Sequence, residues 1–164
     1  MEKEIKRNDW AKFCKKFSST NQYREVKIRV HDNRKREINL IETLPFMGIT
    51  LAKKGRLIDG LEIFSGRGDA EKILAPVASF KDPLKVFLKA DENGYDNRLR
   101  IIGKDGSEIE VELYGEPDRN RHYWLVEKVA YSMFERRGYT QGNDQGDWLE
   151  AERKVKEAEL QFIS

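Results

Sequence analysis

Residues 24–31 read REVKIRVH, and their alternation decides the fold. Val26, Ile28 and Val30 point one way and Lys27, Arg29 and His31 the other, as a half-buried β-strand requires. Working outward, similar short runs recur from Tyr23 to Tyr114: REINLIE (36–42), GITLA (48–52), LEIF (61–64), LKVFLKA (84–90), RLRII (98–102) and EIEVELY (108–114). Breakers lie between them: HDNRKR (31–36), LPFMG (44–48), KKGR (53–56), SGRGD (65–69), KDP (81–83), ENGYDN (92–97) and GKDGS (103–107). Lys104-Asp105-Gly106-Ser107 is the clearest hairpin turn. These links are too short for parallel crossovers, so the sheet is expected to be mostly antiparallel, strongly bent or closed into a small barrel, with six to seven strands. Around Ala70–Ala78 one helical turn fits, ended early by Pro76.

Helical spacing flanks this region. Trp10, Phe13, Cys14 and Phe17 fall at i, i+3, i+4 and i+7, which predicts a first helix over 9–18 capped by Asn8 or Asp9, with Lys12, Lys15 and Lys16 on the solvated side. After Gly115-Glu116-Pro117-Asp118, a hinge, the period becomes helical again. Trp124 or Tyr123, Val126, Val129 or Ala130, and Met133 or Phe134 form one stripe, ended by Gly138 as C-terminal cap. Asp144 can cap a last helix on which Trp148, Ala151, Val155, Ala158 and Phe162 share a face. On its exposed side Glu150 with Lys154, Glu152 with Lys156, and Arg153 with Glu157 stand at i, i+4. Trp148 opens that apolar face, which predicts its burial against Tyr131 and Phe134 of the preceding helix. The reading is an α+β protein: a β-rich body with an N-terminal helix over 1–116, its sheet pattern complete and able to fold alone, and a C-terminal helical hairpin over 117–164.

Composition narrows the function classes. The 164 residues are 38% apolar, 10% aromatic and 37% charged, which predicts a folded chain with a strongly solvated exterior. The most apolar segment, LPFMGITLA (44–52), is far short of the roughly 20 residues of a membrane span. A single cysteine, Cys14, and an opening without an apolar stretch predict the cytoplasm. Net charge is +2, yet residues 1–36 hold 12 Lys/Arg against 5 Asp/Glu. Such asymmetry either coats a solvated face or marks an anion site, for which Lys12, Lys15, Lys16, Lys27, Arg29, Arg34, Lys35 and Arg36 are the candidates and nucleic acid the commonest polyanion.

Catalytic and cofactor motifs are weighed and set aside. Gly66-Arg67-Gly68-Asp69-Ala70-Glu71 begins like a dinucleotide loop, but Glu71 takes the third glycine's place and Pro76 forbids the long helix. Asp91–Asn97 has its glycine at the wrong position for a calcium loop, and Ile102 stands where a bidentate Glu belongs. His31 and His122 have no cysteine pattern for zinc, and no serine lies in a Gly-x-Ser-x-Gly setting. Cys14 lies beside a buried helix face, as a small core residue does. Residues 121–164 carry 7 Lys/Arg and 8 Asp/Glu, so the hairpin lacks the charge of a DNA-reading unit. No catalytic residue, cofactor or metal is expected. A non-enzymatic module docking an unidentified protein leads, with weak nucleic-acid binding as the alternative.

Two resemblances accompany this reading. Residues 130–153 carry Ala130-Tyr131, a helix ending at Gly138, then Gly142, Asp144 and Trp148-Leu149-Glu150-Ala151-Glu152-Arg153. This pattern resembles the bacterial family catalogued as domain of unknown function 2934, with Tyr139 and Thr140 departing from it in the loop. Residues 8–113 resemble domain of unknown function 5335 through Trp10, Phe13, Leu44-Pro45, Gly48-Ile49, Asp82-Pro83 and Asp105-Gly106. Neither resemblance implies a substrate, cofactor or catalytic residue.

Overall fold

A computed structural model of the chain describes residues 1–52 and 60–163. KKGR (53–56) lies outside them. The strands are β1 (Glu2–Ile5), β2 (Glu25–His31), β3 (Glu37–Leu51), β4 (Leu61–Ser65), β5 (Ala78–Phe80), β6 (Pro83–Ala90), β7 (Asp96–Gly103) and β8 (Glu108–Tyr114). The helices are α1 (Trp10–Asn21), α2 (Arg121–Arg136) and α3 (Asp144–Leu160). All eight strands join one antiparallel sheet in the order β1-β6-β7-β8-β2-β3-β4-β5. The fold is thus α+β, with an N-terminal helix and a C-terminal helix pair as expected.

Connectivity alone requires the bend. Only Lys81 and Asp82 separate β5 from β6 in sequence, although five strands lie between them in the sheet. A flat sheet would hold them about 29 Å apart at ~4.8 Å per strand, well beyond what two linking residues reach. The sheet therefore curls until Phe80 rests on Gly103, where an added Cβ would fall 2.2 Å from the Phe80 ring. It does not close into a barrel. β1 already occupies the edge of β6 that closure would need, and β6 begins at Pro83, which has no N–H to give. The expectation of six or seven strands missed β1 and the three-residue β5, both too short to show a period.

The breaker LPFMG is another correction, because β3 runs straight through it. Pro45 sits opposite Glu25, where β2 begins, and the register shifts between Phe46 and Gly48. Pairing is handed over there, from β2 along the first half of β3 to β4 along the second, and a handover with a bulge tolerates proline. The edge that β2 leaves is satisfied by α1 and the link after it. Tyr23 N–H donates to Phe46 O at 2.7 Å, Gln22 Nε2 to Met47 O at 3.0 Å, and Ser18 Oγ takes Ile49 N–H at 2.9 Å.

Two cores result. Inside the curl, Trp10, Cys14 and Phe17 of α1 pack with Val26, Ile28, Phe46, Ile63, Ile101 and Val111. This core is drawn wholly from residues before Pro117. On the other side of β3 and β4, Met47 and Phe64 meet Tyr23, Ile73, Leu125, Val126 and Val129 of α2, Ala151, Val155 and Ala158 of α3, and Phe162. The body and the helical pair share this second core.

Trp148 is not in it, contrary to expectation. It is 37% exposed, its Nε1–H donates to Glu152 at 2.6 Å, and Tyr131 is 53% exposed. On α2 the expected Val126 and Val129 are buried, but Leu125 takes the place expected of Tyr123 or Trp124, which are exposed. Asp144 is the first residue of α3 rather than its cap, which is Asn143, and acts there as a negative charge near the positive helix end. Gly138 does end α2: its φ is +68°, and Gly138 N–H to Glu135 O with Tyr139 N–H to Phe134 O complete a Schellman motif.

Candidate functional site

The eight basic candidates do not assemble. In β2 the side chains that face α1 are Val26 and Ile28, so Lys27 and Arg29 necessarily point to the opposite face of the sheet. Lys12, Lys15 and Lys16 stand in solvent on α1, on the far side from Lys27 and Arg29. Arg29 is also spoken for, by Glu112 and by Glu37 at 3.4 Å. It belongs to a ladder of alternating charge with Arg98–Glu110 at 3.1 Å, Arg100–Glu108 at 2.6 Å and Arg100–Glu2 at 2.5 Å. Such a face is near neutral. Arg34, Lys35 and Arg36 form the β2–β3 turn, wrapped on Asp32, whose carboxylate accepts from both Arg34 N–H and Arg36 N–H and pairs with Arg36 at 2.8 Å. The Arg36 backbone bond is the main reason the Asp32 carboxyl titrates below its ordinary range.

The helical pair carries a more distinctive surface. Its inner faces are consumed by the second core, while Tyr123, Trp124, Tyr131, Tyr139, Trp148 and Leu149 remain exposed. Their placement follows from helix geometry, since Trp124, Lys128 and Tyr131 recur at i, i+4 and i+7 on the side away from Val126 and Val129. Phe134, half-buried, links Tyr131 to Tyr139, with ring centroids 6.1 and 5.3 Å away. Trp124 lies between two cations, Arg121 at 5.7 Å and Lys128 at 5.8 Å from its ring. At the start of α3, Trp148 and Leu149 line a shallow apolar depression with Asp144 and Gln145. The hairpin tip is held by Arg137, which grips both oxygens of Asp147, so the aromatic side chains sit on a braced scaffold.

Two further contacts fix the pair on the body. Glu159 of α3 accepts from Tyr23 and hydrogen-bonds His122 Nδ1 through one carboxylate oxygen, and burial first, then this carboxylate, raises the Tyr23 phenol above its ordinary range. The loop after β4 lies flat on α2. A Cβ on Gly66 would meet Leu125 at 3.2 Å and one on Gly68 would meet Lys128 at 2.7 Å, so the glycines of the 66–71 motif serve close packing. Asp91 likewise folds its own loop, accepting from Asn93 and Tyr95 N–H. Desolvation pushes the Cys14 thiol up to about 12, which leaves it neutral and unreactive.

Among the described residues, no three His, Cys, Asp or Glu side chains converge as a metal centre would need, and no helix is long and apolar enough to cross a membrane. No curated protein and no solved structure matches the chain. The exposed aromatic surface lies on the part that does match a family model: residues 121–157, α2 and most of α3, are similar to the family described as protein of unknown function (DUF2934).

Proposed function

We propose that this protein is a non-enzymatic, cytoplasmic interaction module whose helical pair docks a protein partner through its outer face. One observation carries the reading: α2 and α3 bury their inner faces in the second core, yet still present Tyr123, Trp124, Tyr131, Trp148 and Leu149 to solvent. Trp and Tyr are the residues that most often anchor protein interfaces, and on this side ring contacts join Tyr131, Phe134 and Tyr139. Arg121 and Lys128 beside Trp124 favour a partner whose apolar contact is rimmed by carboxylates.

A photo-crosslinker placed at Tyr131, with Leu84 on β6 as control, tests this in native lysate. Capture from position 131, lost when Leu149→Glu is added and absent from position 84, is the expected result. Equal capture from both positions, or capture indifferent to Leu149→Glu, overturns the docking face. A concentration-dependent mass in light scattering would instead assign the face to a second copy of the chain.

A further inference from the structure

One histidine is held in the way a nucleophile is held. His122 is the second residue of α2, and its Nδ1 hydrogen-bonds a carboxylate oxygen of Glu159 that also accepts from the Tyr23 hydroxyl. Gln22 Nε2 donates to the Glu159 carbonyl at 3.1 Å, so this carboxylate is itself tied to the body. The ring is thus fixed at one nitrogen. In the neutral imidazole, a carboxylate partner keeps the proton on Nδ1 and leaves the lone pair on Nε2. Among the described residues no group bonds that second nitrogen, and with the side chain 26% exposed it opens to solvent. The other histidine, His31, differs: its Nδ1 is buried and unpartnered.

The surroundings favour an anionic electrophile. Arg119 is exposed, yet near enough for its charge to act on the Tyr23 phenol, which shares the Glu159 oxygen with His122. Arg121, the residue before His122, makes a long ion pair with Glu25, at 3.9 Å. The first turn of α2 contains no Asp or Glu to offset the positive end of the helix. Phosphoryl groups are stabilised at helix starts and beside arginines. We propose that Nε2 of His122 accepts a phosphoryl group from an acyl phosphate or a phosphoramidate. Nε2 attacks phosphorus and the P–N bond forms, while the bond from phosphorus to the acyl oxygen or amine nitrogen breaks and its electron pair leaves with that group. Nδ1 keeps its hydrogen, so the ring becomes cationic and the Glu159 carboxylate offsets that charge. Arg119 and Arg121 are the cations at hand for the phosphoryl oxygens. This assignment is independent of partner docking by the outer face of the helical pair.

Phosphoramidate added to the full chain near neutral pH, followed by intact mass and by NMR of the ring nitrogens, tests the assignment. One phosphoryl group is expected on His122 Nε2, lost in acid and stable in alkali as a phosphorus–nitrogen bond is. It should form about ten-fold or more faster than on the same histidine in the urea-unfolded chain, because the orientation and the carboxylate partner exist only in the fold. Glu159→Gln keeps an oxygen for Tyr23 and His122 but removes the charge, and should slow the reaction about ten-fold. Arg119→Gln, at an exposed position, should slow it several-fold and leave melting unchanged. Modification of His31 at an equal rate, attachment at Nδ1, a folded rate no higher than the unfolded one, or a rate indifferent to both substitutions overturns the proposal. A phosphoryl group that survives acid belongs to a hydroxyl and also overturns it.

Discussion

Phe162 joins the end of the chain to the sheet. Its ring centroid lies 4.9 Å from that of Phe64, and it presses on Gly48, where an added Cβ would come within 2.2 Å of the ring. Phe162→Ala should cost about 3–5 kcal/mol, as truncation of a core aromatic does. Gly48→Ala overpacks the same spot and should cost about 1–3 kcal/mol. In the double variant the vacated ring space accepts the new methyl, so the costs should sum to less than the singles, and urea melts of the three proteins measure the coupling. Trp148 behaves differently. One-third exposed and hydrogen-bonded to Glu152, it should lose well under the ~3–5 kcal/mol of a core aromatic on mutation to Ala, while partner capture at position 131 drops.

The helical pair is the element whose stability should respond to acid. Arg137 holds the Asp147 carboxyl below its ordinary 3.8, chiefly through the hydrogen bonds across the hairpin tip. A carboxyl whose folded pKa is depressed stabilises the fold fully above the unfolded value, and that contribution fades as pH falls through the folded one. Asp32 and Glu112 are shifted the same way, so the whole chain loses stability in acid, and Asp147→Asn isolates the hairpin's part. The variant should be less stable at neutral pH, with the gap to the parent closing below about pH 4. Thermal melts across pH 2–7 check it; a gap that stayed constant would mean Arg137 stabilises the tip without charge.

At the level of the whole molecule, the two cores have different dependence on the helical pair. The core inside the curl is complete before Pro117, whereas Met47, Phe64 and Ile73 are covered only because α2 and α3 lie on them. A chain ending at residue 116 should therefore keep dispersed amide signals in β6, β7 and β8, yet bind a hydrophobic dye and self-associate through the uncovered face of β3 and β4. Collapse of the β6–β8 dispersion would show that both cores fold as one cooperative unit.

Local pattern was enough for much of this protein. Alternation in 24–31 identified which side of β2 is buried, because a strand's pleat is a property of neighbouring residues alone. The same holds for the Cys14 face of α1 and for Gly138, whose left-handed turn needs no distant partner. Length alone hid β1 and β5. Long-range contact decided the rest: Pro45 continues a strand because β2, β4 and α1 share out the hydrogen bonds around it. Trp148 is exposed, and Leu125 is buried where Tyr123 or Trp124 was expected, because periodicity names the faces of a helix, while the surface that lies opposite chooses which one is covered. For the basic residues, the sequence counted charges, but only the two sides of the folded sheet could separate Lys12, Lys15 and Lys16 from Lys27 and Arg29.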